Sequence, residues 1–507
     1  MDARSSTSAP TSTSPAGRWL PLLGWPLLFL AVAGALQLWT PIPWDADTAY
    51  HVAVARMLRA HGVLHAFPWT PFSWLARHYA DKELLFHLLL VPLSGLDWVT
   101  DAKVVGTLCG TLVLTALWGV LRAERVRFAG IWALAALASS GYFVMRFGLV
   151  RPHLLSMALA LLVAWAAARR RLVPLFACCA LYPLAYTAWH TALGLVALAE
   201  LARVAAGQSP RWKAPLTAAA GLALGLLLHP NFPAILTFFW IQNFQILMGT
   251  AWTHLPGVEL GTEYLPFAPL EALVFALLPA AAALSGAWLA WRGRRLGHVP
   301  LAFALPALAF GVLTFRTQRF VEYFVPFSFA ALALSLHARG RWPRLAPALA
   351  CAAGLLYTGL AGRAPLEVMR LRLRDFEPEV EADLRARIPP GAQVFTCGWL
   401  TTGEQMLALP ERRFLVALDP VLFARNDPER YRLWFQLTHQ PPPNPALAIR
   451  EGFGASYVLC ENGLQQFWPL LQALSQDPGA RLVHESQLWL AFALDEGSAA
   501  APPRLGP

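Results

Sequence analysis

Two carboxylates stand where the first long apolar stretch of this sequence ends. Asp45 and Asp47 precede a segment, 48–61, that is predicted to be a helix ended by Gly62. A carboxylate in this position can deprotonate a hydroxyl group or bind a divalent cation. A purely structural role is the alternative. Aspartate is a favoured helix cap, and Asp47 directly precedes the predicted helix. Asp45 can be a solvated loop residue. Capping does not exclude catalysis.

Two arginines lie near the end of the apolar part of the sequence. Arg316 and Arg319 are three residues apart and would share one face of a helix, which Glu322 continues. The planar guanidinium group suits a phosphate. A charge at the centre of a bilayer costs at least about 2.5–3.5 kcal/mol, so these residues are expected at a membrane edge or in a wet cavity. The alternative is a structural Arg–Glu pair beside aromatic residues of the membrane interface.

Other ionisable side chains also fall at the ends of apolar stretches. The segment 41–101 is the longest connection early in the chain and is rich in such residues. The remaining candidate site residues are His51, Lys82, Glu83, Arg151, His153 and Glu263. No Cys or His pattern has the spacing of a zinc site, and the sequence contains no strong glycine-rich phosphate loop.

The composition predicts which elements position these residues. Of the 507 residues, 57% are hydrophobic and 14% are charged, which excludes an ordinary water-soluble enzyme and indicates a polytopic membrane protein. A spanning helix needs about 20 mostly apolar residues. About eleven stretches are predicted to span: 19–40, 102–121, 128–145, 153–168, 172–189, 190–206, 213–229, 269–291, 299–315, 320–338 and 344–362.

Arginine-rich loops indicate the orientation of these spans. The clusters follow alternate spans, near residues 122–127, 169–171, 203–213, 292–295 and 339–344. Because Arg and Lys prefer short cytoplasmic loops, the N-terminus is predicted inside. An odd number of spans then places the tail after Arg363 outside. The formal net charge of +10 is mostly a topology signal, and no nucleic-acid partner is expected.

The sequence divides into three predicted parts. Residues 1–18 are a low-complexity Ser/Thr/Pro tail, expected to be disordered and cytoplasmic. Residues 19–363 form the transmembrane domain, which has external loops at 41–101 and 230–268. An apolar segment within the first loop, 84–97, is short for a span and is expected to lie along the external surface.

The third part, residues 364–507, is predicted to be an external α/β domain. Its first stretch, 366–388, has the pattern of one charged helix. Further helices are predicted near 401–409, 427–437 and 463–475, and strands at 389–396, 413–420, 456–460 and 488–494. Strands that alternate with helices favour a mainly parallel sheet. The predicted fold is therefore an α-helical polytopic membrane protein with a C-terminal external α/β domain.

Two of the six cysteines, Cys397 and Cys460, end predicted strands of this domain. The outside of the cell is an oxidising compartment, so a disulfide between them is possible. The other four cysteines lie within predicted spans and fit as small core residues.

The candidate residues together favour one kind of chemistry. An enzyme that uses an activated lipid as donor needs cations to hold the lipid phosphate as it leaves, and a carboxylate to deprotonate an acceptor hydroxyl or position a metal. One alternative is a lipid or solute transporter, whose ionisable residues would lie near the membrane midplane. A second is an assembly scaffold whose external domain binds a partner.

Several short motifs resemble those of multispanning C-type (GT-C fold) membrane glycosyltransferases, in particular bacterial relatives of oligosaccharyltransferase catalytic subunits. These relatives carry an Asp, an aromatic–His pair, a helix that ends in Gly, and a Glu at the start of the next apolar stretch. The similar positions here are Asp47, Tyr50 with His51, Gly62, Glu83, Glu263 in the loop after "HPNF", and Arg319 with Phe320.

The resemblance implies transfer of a sugar from a polyprenyl-phosphate or polyprenyl-diphosphate donor to an unknown acceptor on the external face of a bacterial cytoplasmic (inner) membrane. The implied roles are catalytic for Asp47, Asp45 and Glu83, donor-phosphate binding for Arg316, Arg319, Arg151 and Lys82, and supporting for His51, His153 and Glu263. A divalent cation, Mg²⁺ or Mn²⁺, would bind Asp47 and Glu263. The tail lacks a WWD-type acceptor-peptide motif, so transfer of an asparagine-linked glycan is not expected.

Overall fold

The computed structural model describes residues 15–45, 47–248, 261–340, 344–370, 376–418 and 420–495. The described chain is mostly helical, with one small sheet near the C-terminus. Of the predicted disordered tail 1–18, residues 1–14 lie outside the described residues. Residues 15–18 are helical, because a helix begins at Pro15. The helices before the C-terminal part are α1 Pro15–Leu38, α2 Asp47–His61, α3 Leu75–His78, α4 Leu84–Leu90, α5 Trp98–Ala123, α6 Ala129–Ala138, α7 Gly141–Gly148, α8 His153–Arg169, α9 Leu172–Ala185, α10 Thr191–Ala205, α11 Lys213–Leu227, α12 Ala234–Trp240, α13 Pro269–Arg292, α14 Val299–Thr314, α15 Val321–Ala338, α16 Ala346–Leu360 and α17 Ala364–Arg370. A π-helical stretch, Ile241–Met248, continues α12.

Every predicted span coincides with a helical segment, and the apolar helices are those of a membrane protein. Within the described residues, three helices are long and apolar enough to cross a membrane: Trp98–Ala123, Pro269–Arg292 and Gln318–Ala338. Seven more apolar helices have 10–17 residues: Leu23–Leu38, Leu84–Leu93, His153–Arg169, Leu172–Ala185, Lys213–Leu227, Val299–Thr314 and Ala346–Leu360. The total of eleven spans stays a prediction.

The predicted continuous span at 128–145 is wrong, because the chain bends by 99° between α6 and α7. Ser140 caps the new helix by accepting a hydrogen bond from the backbone N–H of Phe143 at 3.2 Å. Gly141 follows at a point where any Cβ atom would lie 1.8 Å from the carbonyl oxygen of Gly362. The bend therefore depends on a glycine, and it places α7 across the neighbouring helices.

Helices α8, α10 and α15 have a common direction. Each starts beside the residues of the candidate site, and each ends at one of the arginine-rich loops. At that far end, Arg169 pairs with Glu124 and Arg170 lies 3.2 Å from Glu200. Because α8 has 17 residues, the arginine-rich loops and the candidate site lie about 25 Å apart along it.

The C-terminal part is an α/β unit with its own hydrophobic core. Its helices are α18 Pro378–Arg387, α19 Thr402–Ala408, α20 Pro420–Asn426, α21 Pro428–His439, α22 Pro445–Phe453 and α23 Trp468–Gln476, and its strands are β1 Val394–Thr396, β2 Tyr457–Glu461, β3 Ala480–Glu485 and β4 Trp489–Leu494. Phe395, Trp434 and Phe492 are buried in that core. Helix α19 packs against α2, which joins this unit to the segment 41–101.

Three details of the predicted α/β unit are wrong. The sheet has the order β1-β2-β4-β3, and only β1 and β2 are parallel. Strand β4 turns back from β3 after a short connection, which makes that pair antiparallel. Within the described part of the predicted strand 413–420, which leaves out residue 419, the pairing is an isolated bridge at Arg413. The predicted helix 366–388 is instead α17 and α18, with Pro378 opening the second helix; residues 371–375 lie outside the described ones.

The disulfide that the sequence allowed is confirmed. Cys397 follows β1 and Cys460 lies in β2, and the two residues are bonded with their Cα atoms 5.0 Å apart. The bond closes a loop with a sequence separation of 63 residues. It therefore limits the freedom of the unfolded α/β unit.

Thiol alkylation tests this bond. In the denatured protein without reductant, we expect four of the six cysteines to react with iodoacetamide, and all six after reduction. The double substitution Cys397→Ser/Cys460→Ser should lower the stability of the α/β unit by about 2–4 kcal/mol. The control Cys351→Ser removes a free, half-buried cysteine of α16 and should have a much smaller effect. Six reactive thiols before reduction would contradict the disulfide.

Candidate active site

A cavity of about 400 Å³ lies where four helices begin. Helices α2, α8, α10 and α15 all direct their N-terminal ends toward it. The α/β unit closes one side with Trp399, Leu400 and Leu418. The charged side chains that line the cavity are Asp45, Asp47, Lys82, Glu83, Arg146, Arg151, Glu263, Arg319 and Glu322. The structure thus brings together most of the residues that the sequence nominated.

Arg151 lies between three of the carboxylates. Its Nε atom is 3.2 Å from Asp45 Oδ1, its Nη2 atom is 3.1 Å from Asp47 Oδ2, and its Nη1 atom is 3.5 Å from Glu263 Oε2. Arg151 belongs to the short turn between α7 and α8, so the bend that follows α6 determines its position. One guanidinium group therefore holds the two predicted catalytic aspartates against the loop that carries Glu263.

The helix cap differs from the prediction by two residues. Helix α2 starts at Asp47 itself, and Asp45 Oδ1 accepts the hydrogen bond from the backbone N–H of Thr48 at 3.1 Å. Asp45 is therefore the capping residue, and Asp47 is left partly exposed to the cavity. Partial burial raises the pKa of Asp47; Arg151 opposes this rise, and the carboxylates of Asp45 and Glu263 add to it.

Glu263 contacts three arginines. It pairs with Arg146, its Oε2 atom is 3.5 Å from Arg151, and its Oε1 atom is 3.5 Å from Arg319 Nη1. Burial acts to raise the pKa of Glu263, but Arg146, Arg319 and Arg151 together hold this pKa well below its usual range. The carboxylate is therefore ionised at neutral pH and serves as the common anion of the arginine cluster.

Arg146 makes the most deeply buried ion pair of the cavity wall. Its Nε atom donates to Glu322 Oε1 at 2.8 Å, and only 4% and 1% of the two side chains are exposed. His153 Nε2 lies 2.9 Å from the carbonyl oxygen of Arg146 and 3.9 Å from Glu322 Oε1. His153, predicted as a supporting residue, therefore contacts the residues that hold α7 to α15.

Arg319 reaches the cavity and Arg316 does not. Arg319 donates hydrogen bonds of 2.9 Å to the hydroxyl oxygens of Tyr264 and Tyr186. The prediction that both arginines share a helix face is wrong, because α14 ends at Thr314 and a 3₁₀ turn, Gln318–Phe320, precedes α15. Arg316 lies in the connection and is exposed outside the cavity lining.

Lys82 and Glu83 form another wall together with His51. Lys82 Nζ is 3.7 Å from Glu83 Oε1 and 3.5 Å from Gln242 Oε1. Glu83 Oε2 is 3.7 Å from His51 Nδ1. Burial is the largest cause that lowers the pKa of His51 well below its usual value, and the nearby His87 lowers this pKa further. The imidazole of His51 is therefore neutral at pH 7.

The expected metal pair, Asp47 with Glu263, does not fit a divalent cation in this arrangement. Arg151 contacts both carboxylates, at 3.1 Å and 3.5 Å, so a guanidinium group already supplies the positive charge between them. Mg²⁺ and Mn²⁺ prefer oxygen ligands that are free to surround the ion. The two carboxylates are therefore arranged around an arginine and not around a shared metal ion.

Sequence reasoning missed several residues of the cavity. Tyr186 and Tyr264 lie within apolar or loop sequence and carry no charge that would mark them. The pairing of Arg146 with Glu322 was not predicted, because it joins positions 176 residues apart. The cue available for Arg146 was its place, five residues before Arg151, at the end of an apolar stretch.

Comparison of the structure with solved structures identifies the class of fold. The chain aligns with ArnT from Cupriavidus metallidurans in the apo state with a TM-score of 0.58 and 15% identity, over 93% of this chain and 98% of that one. It also aligns with the arabinofuranosyltransferase AftD from Mycobacteria with TM-scores of 0.55 and 0.52, at 17% and 18% identity, over 93% and 92% of this chain but 41% of AftD. No protein-family model and no curated protein matches the sequence.

These alignments confirm the resemblance predicted from sequence at the level of the fold. The chain has the multispanning GT-C fold of membrane glycosyltransferases. ArnT and AftD are its structural neighbours; with ArnT the alignment extends over nearly the full length of both chains. At this level of identity the shared property is the fold, and activity has to be argued from the site.

Replacing Glu263 tests the arginine cluster. Glu263→Gln removes the common anion of one buried and two partly buried arginines, and we expect it to destabilise the protein by about 3–5 kcal/mol at pH 7. The pKa of Glu263 is lower in the folded protein than in the unfolded chain, where it is about 4.3. The contribution of Glu263 to stability is therefore fully present above a pH of about 4.3 and is lost as the pH falls through the lower pKa of the folded protein. The difference in thermal midpoint between variant and wild type in detergent should therefore shrink in strongly acidic buffer.

The matched control is Glu367→Gln. Glu367 also pairs with an arginine, Arg363 at 3.3 Å, but the Arg363 and Glu367 side chains are 66% and 62% exposed, so its loss should cost less than about 1 kcal/mol. Equal thermal midpoints for the two variants would show that Glu263 does not hold the cluster together.

Proposed function

We propose that this protein is a membrane glycosyltransferase that moves a sugar from a polyprenyl-phosphate-linked donor to an acceptor on the external face of a bacterial cytoplasmic membrane. The observation that carries the proposal is the cavity itself: partly exposed Asp47 faces Lys82 and Arg319 across a space where four helix N-termini meet. The GT-C fold supports the same class of reaction.

The cavity favours a bound anion. A helix N-terminus carries about half a positive charge and unpaired backbone N–H groups, which is why phosphates bind at such ends. Lys82 adds a full charge, and its polar contacts to Gln242 and Glu83 are long, at 3.5 and 3.7 Å. A phosphate can therefore approach Lys82 without first breaking a tight ion pair.

Arg319 is the second proposed phosphate ligand. Two of its shortest contacts are to neutral hydroxyl groups, those of Tyr186 and Tyr264, and its carboxylate contact to Glu263 is longer, at 3.5 Å. A charged phosphate competes well with such partners, because charge-assisted hydrogen bonds are the stronger ones. Arg151, by contrast, is occupied by three carboxylates and is proposed to position them.

Asp47 is the proposed general base. It accepts the proton of an acceptor hydroxyl, the hydroxyl oxygen bonds to the anomeric carbon of the donor sugar, and the bond from that carbon to the phosphate oxygen breaks. The electron pair of this bond leaves with the polyprenyl phosphate, whose added negative charge Lys82 and Arg319 stabilise. Asp45 holds Asp47 in place as helix cap and partner of Arg151, and Glu83 positions Lys82.

The external location of the cavity rests on two observations. The arginine-rich loops lie at the other ends of α8, α10 and α15, and such loops prefer the cytoplasm. The α/β unit that closes the cavity contains a disulfide, which is typical of proteins outside the reducing cytosol. Both observations support an external location of the reacting groups, where an activated nucleotide sugar is not available, and so favour a lipid-linked donor.

Native mass spectrometry of the detergent-purified protein tests donor binding. The wild type, supplied with a polyprenyl phosphate, should retain one such lipid, and Lys82→Ala/Arg319→Ala should lose it. Arg316→Ala is the matched control, because Arg316 has the same charge and lies three residues away but outside the cavity. If Arg316→Ala abolishes binding while the double variant retains it, the phosphate lies elsewhere. If no protein binds the lipid, a scaffold function is favoured.

Substitution of the base separates chemistry from binding. Asp47→Asn should retain the lipid in the same mass spectrometric assay and should reduce sugar transfer by about 10²–10⁴-fold. Transfer is measured in proteoliposomes as loss of radiolabelled sugar from a lipid extract of the source membranes, with an envelope fraction supplying the acceptor. Transfer at the wild-type rate in Asp47→Asn would exclude this residue as the base.

A further inference from the structure

A buried group of His51, His87 and Glu83 lies in the wall of the cavity, which His51 and Glu83 line. The imidazole atoms His51 Nδ1 and His87 Nε2 are 2.9 Å apart, and Glu83 Oε2 is 3.7 Å from His51 Nδ1. One potential ligand atom from each of the three residues lies within 4.8 Å of the others. The group joins α2, which carries His51, to α4, where Glu83 and His87 are one helical turn apart.

The group is almost closed to solvent. His51, His87 and Glu83 are 3%, 0% and 7% exposed, respectively. Glu83 Oε2 is buried without a hydrogen-bond partner among the described residues. A buried, unpartnered carboxylate oxygen beside two imidazoles costs free energy. A cation bound between the two imidazoles and Glu83 Oε2 would give this oxygen a partner.

A further carboxylate orients one of the imidazoles. His87 Nδ1 is 2.8 Å from both oxygens of Asp81, which is 2% exposed. A carboxylate oxygen accepts this hydrogen bond, so Nδ1 carries the hydrogen and the lone pair of Nε2 accepts the hydrogen bond from His51 Nδ1. This lone pair points toward His51 Nδ1 and the centre of the group. A carboxylate behind a histidine in this way is the arrangement that tunes histidine ligands of metals.

We propose that His51, His87 and Glu83 bind one divalent transition-metal ion, of which zinc is the best fit. Two imidazole nitrogens and one carboxylate oxygen are a typical zinc set, with a fourth position for water or another ligand. Calcium and magnesium prefer sets made only of oxygen atoms. This site is distinct from the Asp47–Glu263 pair, and it does not depend on the proposed transferase function.

The ion would add a fixed positive charge to the cavity wall that contains His51 and Glu83. It would hold α2 against α4 and neutralise Glu83, which otherwise faces both His51 and the Lys82 ammonium group at 3.7 Å. Lys82 would then have less attraction to Glu83 and more to an anion in the cavity. Metal binding through His51 Nδ1 would also require the hydrogen of this neutral imidazole to move to Nε2, so binding would replace the His51–His87 hydrogen bond.

Metal analysis of the purified full-length protein tests this inference. After incubation with zinc and removal of free metal by dialysis, plasma mass spectrometry should find about one zinc per chain. His51→Gln and His87→Gln should retain less than about a tenth of this amount, and Asp81→Asn should bind zinc about 10–100-fold more weakly. The matched control is His61→Gln, an exposed histidine on the same helix as His51, which should bind zinc as the wild type does.

Cobalt provides a second measurement that does not depend on the stability of the variants. Co²⁺ added to metal-free wild type should give the visible d–d absorption bands of a nitrogen- and oxygen-bound ion, and zinc should displace them. Gel filtration shows which variants are folded, and only these are compared. A wild type that holds no zinc after dialysis and gives no cobalt bands, or folded His51→Gln with unchanged zinc content, would overturn the site while leaving the lipid-binding and transfer assays unaffected.

Discussion

The whole cavity depends on the balance of charge around Arg151. Five carboxylates and four cationic side chains line the cavity, and most of them have little exposure to solvent, where an unpaired charge would cost several kcal/mol. Arg151 contacts three of those carboxylates and so joins the start of α2 to the loop of Glu263. Without that guanidinium group, Asp45, Asp47 and Glu263 would repel one another. The positions of the acids are thus a consequence of the positions of the cations.

This balance of charge also gives the four cationic side chains two different roles. Arg146 and Arg151 are bound to carboxylates, whereas Arg319 is held largely by tyrosine hydroxyls and Lys82 by long contacts. Buried ion pairs are rigid, because separating them leaves both charges without a partner. The first two arginines therefore serve as framework, and the other two cations keep the freedom to meet an incoming anion. A site with this division can receive a phosphate without losing its own structure.

The sequence predicted the framework better than the contacts. Length and apolar composition located the helices, and positions at the ends of apolar stretches nominated Asp47, Arg319 and Glu263. Spacing rules work within one element, so they could not anticipate that a helix ends before Arg316 or that His51 meets His87, 36 residues away. The antiparallel pairing of β4 was likewise missed, because alternating strands and helices do not determine strand direction when a connection is short.

The close approach of Gly141 to Gly362 has a consequence for how this protein can evolve. Helix α7 turns at that contact and carries Arg146 in its last turn, with Arg151 just beyond its end. A larger residue at 141 would rotate both arginines without altering either of them. A substitution at position 141 can therefore disturb the charge balance of the cavity although Gly141 is not one of the residues that line it. A small residue with no chemistry of its own is thus constrained as strongly as the charged residues that it positions.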